Sequence, residues 1–133
     1  MIPLVLILSA VFVTVAFLVT NENADSALSG YNTLSAEEKK QFDIQNFILF
    51  FKKFHIILAI SYLAIFGILF FMINPYWGNI FTVTYPLLAY IFYIWKANSF
   101  FKTRNQKQYY VSLAVISFLC ILFLVIVYLF LKN

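Results

Sequence analysis

Four apolar runs separated by polar breaks organise the chain. The first, Ile2 to Val19, ends at Thr20-Asn21-Glu22-Asn23. The second begins at Phe47, is interrupted by Lys52 and Lys53, and continues uncharged from Phe54 to Ile73. Asn74 to Asn79, with Pro75 and Gly78 inside it, reads as a tight turn. The third run, Ile80 to Trp95, carries Pro86 in its middle, and the fourth spans Tyr109 to Leu131. A bilayer-crossing helix needs about 20 apolar residues, within a range of roughly 17–25. The pattern therefore predicts an all-α, polytopic membrane protein with four transmembrane helices in a single domain, residues 1–133. The expected spans are 2–20, 54–73, 80–95 and 109–131, joined by cytoplasmic loops 21–53 and 96–108. Pro3 suits a helix start, where its missing N–H costs nothing. Pro86 predicts a kinked or locally opened helix whose neighbours satisfy the freed backbone.

Composition sharpens this picture. The chain is 64% hydrophobic and 11% charged, with a mean hydropathy of +0.92. Soluble domains are about a quarter charged, so the bilayer must serve as solvent here. A soluble enzyme and a disulfide-stapled secreted module are both excluded. The single cysteine, Cys120, has no partner for an intramolecular bridge. A cleaved signal peptide needs a basic start, and the first cation is Lys39, so the first run is expected to be retained.

The charge pattern sets an orientation. Lys39, Lys40, Lys52 and Lys53 flank the first loop; Lys96, Lys102, Arg104 and Lys107 occupy or border the last one. With four spans these cations share one side, which the positive-inside rule assigns to the cytoplasm. Both termini are then expected outside. Tyr76 and Trp77 would mark the outer interface; Trp95, Tyr109 and Tyr110 would mark the inner one. The net charge of +4 is read as orientation, and no nucleic-acid partner is expected, because no dense basic stripe accompanies soluble structure. Lys96, Lys102, Arg104 and Lys107 are expected to contact anionic lipid, which attracts juxtamembrane cations.

Candidate chemistry is sparse. All five carboxylates lie between Asn21 and Asn46, and none sits in an apolar core. Ion-coupled transporters place ionisable groups at depth, and a short polar loop cannot enclose a dry catalytic site. A non-enzymatic protein without a cofactor is expected. His55 could ligate a haem or quinone, but a haem needs a second axial ligand, and Met72 stands about 25 Å along the same helix. The expectation is an interfacial histidine whose ring tip reaches headgroups or water. Small residues at helical spacing (Ala10 and Thr14; Ser61, Ala64 and Gly67; Ala114, Ser117 and Cys120) suit either internal packing or docking onto foreign helices.

The first loop holds the most specific signal. Ser35-Ala36-Glu37-Glu38 is a capping box, with Ser35 and Glu38 serving each other's backbone amides. The two glutamates complement the positive helix start. Gly30 to Asn32 predicts a turn before the cap. A helix beginning at Ala36 is expected to run unbroken into the second span, with Phe42 and Phe47 toward lipid. The segment Gly30-Tyr31-Asn32-Thr33-Leu34-Ser35-Ala36-Glu37-Glu38-Lys39, continuing to Phe42-Asp43, resembles the signature of a family of small bacterial membrane proteins, the domain-of-unknown-function family numbered 3784. Leu34 stands where Met is usual and Phe42 where Tyr is common. The resemblance covers residues 1–97, so the fourth span looks like an addition. It implies a bacterial inner-membrane protein but brings no activity, cofactor or substrate.

The function expected is that of an accessory or interaction subunit in a larger respiratory, secretion or transport complex. Its partners would be membrane lipids, other integral membrane subunits, or itself. Tyr31, Asn32, Ser35 and Glu38 are the expected partner contacts, with Tyr31 as an amphipathic anchor. The alternative is a small self-assembling transporter or channel, for which Thr82, Thr84 and Pro86 would supply the polar and flexible positions.

Overall fold

The computed structural model describes residues 1–28, 30–101 and 106–132; for residues 106–108, 127, 128 and 130–132 it describes the backbone alone. Every regular element among the described residues is helical: α1 (Ile2–Leu18), α2 (Ala24–Ala27), α3 (Ala36–Gln41), α4 (Ile44–Gly67), α5 (Pro75–Asn98) and α6 (Gln106–Lys132). A π-helical stretch, Ile68–Ile73, continues α4. Among the described residues, three helices are long and apolar enough to cross a membrane: α4 with its π extension, α5, and α6 over Tyr109–Ile126. The apolar α1 is shorter, at 17 residues.

α1 buries one stripe, Val5, Ser9, Phe12 and Ala16, at the spacing that aligns side chains on one helix face. That stripe lies along α4, whose buried side chains include Phe51, His55, Leu58, Ala59, Tyr62 and Phe66. Val5 joins the cluster of Tyr62 and Phe66, while Val19 joins that of Phe47 and Phe51. The two helices therefore run antiparallel. The small side chains Ser9, Ala16 and Ala59 permit the close approach that lipid-embedded helices favour. Ala10, Thr14 and Ala64 are exposed instead.

The turn between α4 and α5 contracts to one residue. Asn74 N–H donates to the Leu69 carbonyl at 2.8 Å, a π-type bond, and Asn74 Oδ1 accepts from Tyr76 N–H at 2.8 Å. Pro75 fills the first helical position of α5. The turn expected over 74–79 is thus mostly helix, because Asn makes a good N-cap and Pro a good N1 residue. The third run becomes a helix over 75–98 that continues through Pro86. Gly78 is required at this corner, since a Cβ there would sit 3.0 Å from Phe70 Cβ and 3.2 Å from its Cα.

α4 and α5 pack side by side, and α6 packs on α5. Most described side chains of α6 are exposed, Tyr110, Phe118 and Ile121 among them. The molecule is a three-helix core of α1, α4 and α5 with a fourth long helix on its flank.

Candidate functional site

Two features concentrate the polar side chains: a ladder of hydrogen bonds between α4 and α5, and a folded cap over the bundle end. The ladder is built from tyrosines, whose hydroxyls need partners when held in an apolar run. At its first rung, His55 is 1% exposed. Its Nδ1 lies 2.8 Å from the Phe51 carbonyl and its Nε2 lies 3.2 Å from the Tyr90 hydroxyl. The carbonyl can only accept, so Nδ1 carries the proton and Nε2 accepts from Tyr90. At the second rung, Ser61 Oγ donates to the Ile57 carbonyl at 2.6 Å, leaving it to accept from the Tyr85 hydroxyl at 2.7 Å. At the third, Tyr62 Oη donates to the Thr82 carbonyl at 2.8 Å.

The rungs correct the expectation for His55. Its ring points into the core against Phe51 and Phe54, with centroids at 4.2 and 5.1 Å, rather than out to headgroups. Residues 55, 62 and 66 share the α4 face that α1 and α5 cover, so a polar tip there meets Tyr90 instead of water. Bonds of this kind average only about 0.6 kcal/mol in membranes. They fix the register of α4 against α5 more than they stabilise it. Ser9 Oγ, buried on α1, has no hydrogen-bond partner among the described residues.

The cap is the segment expected to be a polar loop. Asn23 closes α1: its Nδ2 donates to the Leu18 carbonyl at 2.7 Å, and its Oδ1 accepts from Thr20 N–H at 2.8 Å. The capping box is present as expected, with Ser35 N–H to Glu38 Oε2 at 2.8 Å and Glu38 N–H to Ser35 Oγ at 3.3 Å. Lys39 pairs with Asp25, tying α3 to α2, and its ammonium stands 5.3 Å over the Tyr31 ring. An ion pair this exposed contributes under about 1 kcal/mol. Burial decides the matter instead.

Leu28 and Phe42 are 7% and 8% exposed, in one cluster with Phe47, Phe51 and Ala97. Phe42 meets Phe101 at 4.8 Å and Tyr31 at 5.2 Å between centroids. Full burial of such side chains contributes about 1.5–3 kcal/mol each. Phe42 and Phe47 therefore face the core, contrary to their expected lipid-facing placement. The unbroken helix from Ala36 is overturned for the same reason. Phe42 turns extended, at φ −82° and ψ 124°, to reach the core. Asp43 then caps a fresh helix, its Oδ1 accepting from Asn46 N–H at 3.1 Å and its Oδ2 from Asn46 Nδ2 at 2.6 Å. These bonds, the side-chain one first, hold the Asp43 carboxyl below the usual aspartate range.

The structure joins Ser35 and Glu38 in the capping box and sets Tyr31 against Phe42 and Lys39. Asn32 and Ser35 are exposed, whereas Tyr31 and Glu38 are half-buried. Of the cations expected at anionic lipid, Lys96 is exposed in the last turn of α5. Lys102 and Arg104 lie outside the described residues, as does the side chain of Lys107. The ladder escaped sequence reasoning, although Tyr62, Tyr85 and Tyr90 inside apolar runs were its signal. The cap's underside escaped it too, because Leu28 and Phe42 stand singly among polar residues.

Comparison with known families matches residues 6–101 to the model of a domain of unknown function, DUF3784. No curated protein and no solved structure matches the chain.

Proposed function

The chain belongs to the DUF3784 family, and we propose that it acts as a non-enzymatic accessory or interaction subunit of a larger complex in the bacterial inner membrane. In this reading it crosses the bilayer four times, with α1 as the first span, both termini outside and the cap in the cytoplasm. One observation carries the proposal. The segment joining α1 to α4 is anchored by Leu28 and Phe42 and presents Asn32, Thr33, Ser35 and Glu37 outward. A preformed surface loses little conformational entropy on docking, whereas a simple tether needs no such order. Antiparallel packing of α1 along α4 supports the fourth span, and the basic flanks of the cap support its cytoplasmic side. Thr82 and Thr84 donate to the Gly78 and Ile80 carbonyls of their own helix, which favours this reading over a self-assembled pathway.

Gentle-detergent purification followed by mass analysis tests it. Stoichiometric recovery of other membrane subunits is expected; a homogeneous homo-oligomer would replace the accessory role with the channel. Asn32→Arg is expected to reduce recovery at equal membrane abundance, and Asn32 is a cleaner probe than Tyr31, whose ring packs on Phe42. Alkaline phosphatase fused after Asn133 should be active. An inactive fusion, with a fluorescent cytoplasmic reporter glowing there, would reverse the orientation.

A further inference from the structure

A groove of about 450 Å³ opens between α4 and α5, lined by Phe50, Lys53, Phe54, Leu88 and Phe92 among others. The helices are antiparallel here, as the His55–Tyr90 and Ser61–Tyr85 bonds show. Phe50, Lys53 and Phe92 therefore mark one end of the groove, while Tyr85 and Leu58 lie toward the middle of the bundle. The walls are aromatic and aliphatic, and the Tyr85 hydroxyl is already engaged with Ser61. Lys53 is the sole charged residue lining it among the described residues, and it is exposed. Its neighbour Lys52 turns the other way, with its ammonium 4.2 Å from the Phe17 ring centroid.

We propose that this groove is a binding site for an anionic phospholipid, with one acyl chain between α4 and α5 and the phosphate at Lys53. The charge layout selects that occupant. A cation stands at the end nearest the polar cap, and an uncharged trough runs from it toward the bilayer centre, which is the arrangement of an amphipathic lipid read from head to tail. A second copy of this chain would offer its own exposed face of Phe, Ile and Leu, which has nothing for Lys53 to meet. Ala89, the smallest lining residue, leaves room for the chain.

The test uses the full chain carrying Trp77→Phe, which leaves Trp95 as the single tryptophan. The Trp95 ring lies 5.9 Å from that of Phe92 at the groove. The protein is reconstituted in phosphatidylcholine vesicles containing a small fraction of either phosphatidylglycerol or phosphatidylcholine with brominated acyl chains. Brominated phosphatidylglycerol is expected to compete for the site about fivefold better, the effect of one juxtamembrane cation on an anionic headgroup. Lys53→Gln should bring the two lipids to parity, whereas Lys40→Gln, an exposed cation away from the groove, should leave the preference intact. Ala89→Phe should lower quenching by both lipids. Equal quenching by the two lipids, or equal effects of Lys53→Gln and Lys40→Gln, would overturn the site. So would a dimer in neutral detergent that Ala89→Phe dissolves, since the groove would then hold a second copy. None of these readouts needs a partner protein, so their failure leaves the accessory role to its own test.

Discussion

The Tyr62 hydroxyl bonds to the Thr82 carbonyl at 2.8 Å, four residues before Pro86, the residue whose missing N–H leaves that carbonyl unpaired within α5. The proline thus creates an acceptor in the membrane interior, and a tyrosine on the neighbouring helix supplies the donor.

This pairing predicts a coupled pair of substitutions. Tyr62→Phe should destabilise the bundle by about 0.6 kcal/mol, the average worth of such a bond in a membrane. Pro86→Ala restores a helical N–H for the Thr82 carbonyl. In that background the cost of Tyr62→Phe should shrink toward zero. Reversible unfolding in mixed micelles, read as a double-mutant cycle, checks the coupling; additive costs would disconnect the two residues.

Two glycines should respond oppositely to alanine. A Cβ at Gly67 meets nothing within 4 Å, and alanine favours helix over glycine by up to about 1 kcal/mol. Gly67→Ala is expected to raise thermal stability slightly. Gly78→Ala forces the Phe70 backbone away, and overpacking of this kind costs about 1–3 kcal/mol. Thermal unfolding of the two variants side by side distinguishes the corners.

Ser35→Ala should cost the cap about 0.5–2 kcal/mol while leaving membrane insertion unchanged. Amide exchange localises the effect: the Glu38 N–H, which donates to Ser35 Oγ, should exchange faster, whereas core amides of α4 keep their protection.

Acid should loosen the start of α4 through Asp43. Its folded carboxyl titrates below the usual aspartate value, so its contribution is full above about pH 4 and is lost as the pH falls through the lower folded value. The Asn46 amide shift, followed by NMR from pH 6 downward, should titrate below the free-aspartate midpoint. Asp43→Asn, which retains an accepting oxygen, should abolish that titration and keep most of the helix start.

The apolar runs announce long helices, because runs of about 20 apolar residues satisfy their backbone in lipid by bonding within the segment, and the capping box is legible from four residues. The rescue of Pro86 is predictable in kind, though the identity of Tyr62 as rescuer depends on how α4 faces α5. The cap is hidden for a different reason. Leu28 and Phe42 lie in a polar stretch without periodicity, and only the chain's return over Ala97 and Phe101 buries them. The one-residue corner at Asn74 was concealed by Pro75 and Gly78, which punctuate turns in most settings and here begin a helix and admit Phe70. His55 shows the same limit. Its distance from the lysines suggests the interface, while its rotation about α4 puts it inside.

In the four-span arrangement proposed above, the unequal helices also shape the surrounding bilayer. α1, at 17 residues, reaches about 26 Å along its axis, whereas the run Tyr109 to Leu131 reaches about 34 Å, against a hydrocarbon thickness of about 30 Å. They pack on different members of the bundle, α1 on α4 and α6 on α5. The lipid ring is therefore compressed on one flank, while the other flank is met by tilt or by thickening. Such a wedge has a preferred neighbourhood: a thin patch of membrane on the α1 side, or another protein whose own short flank shares the deformation.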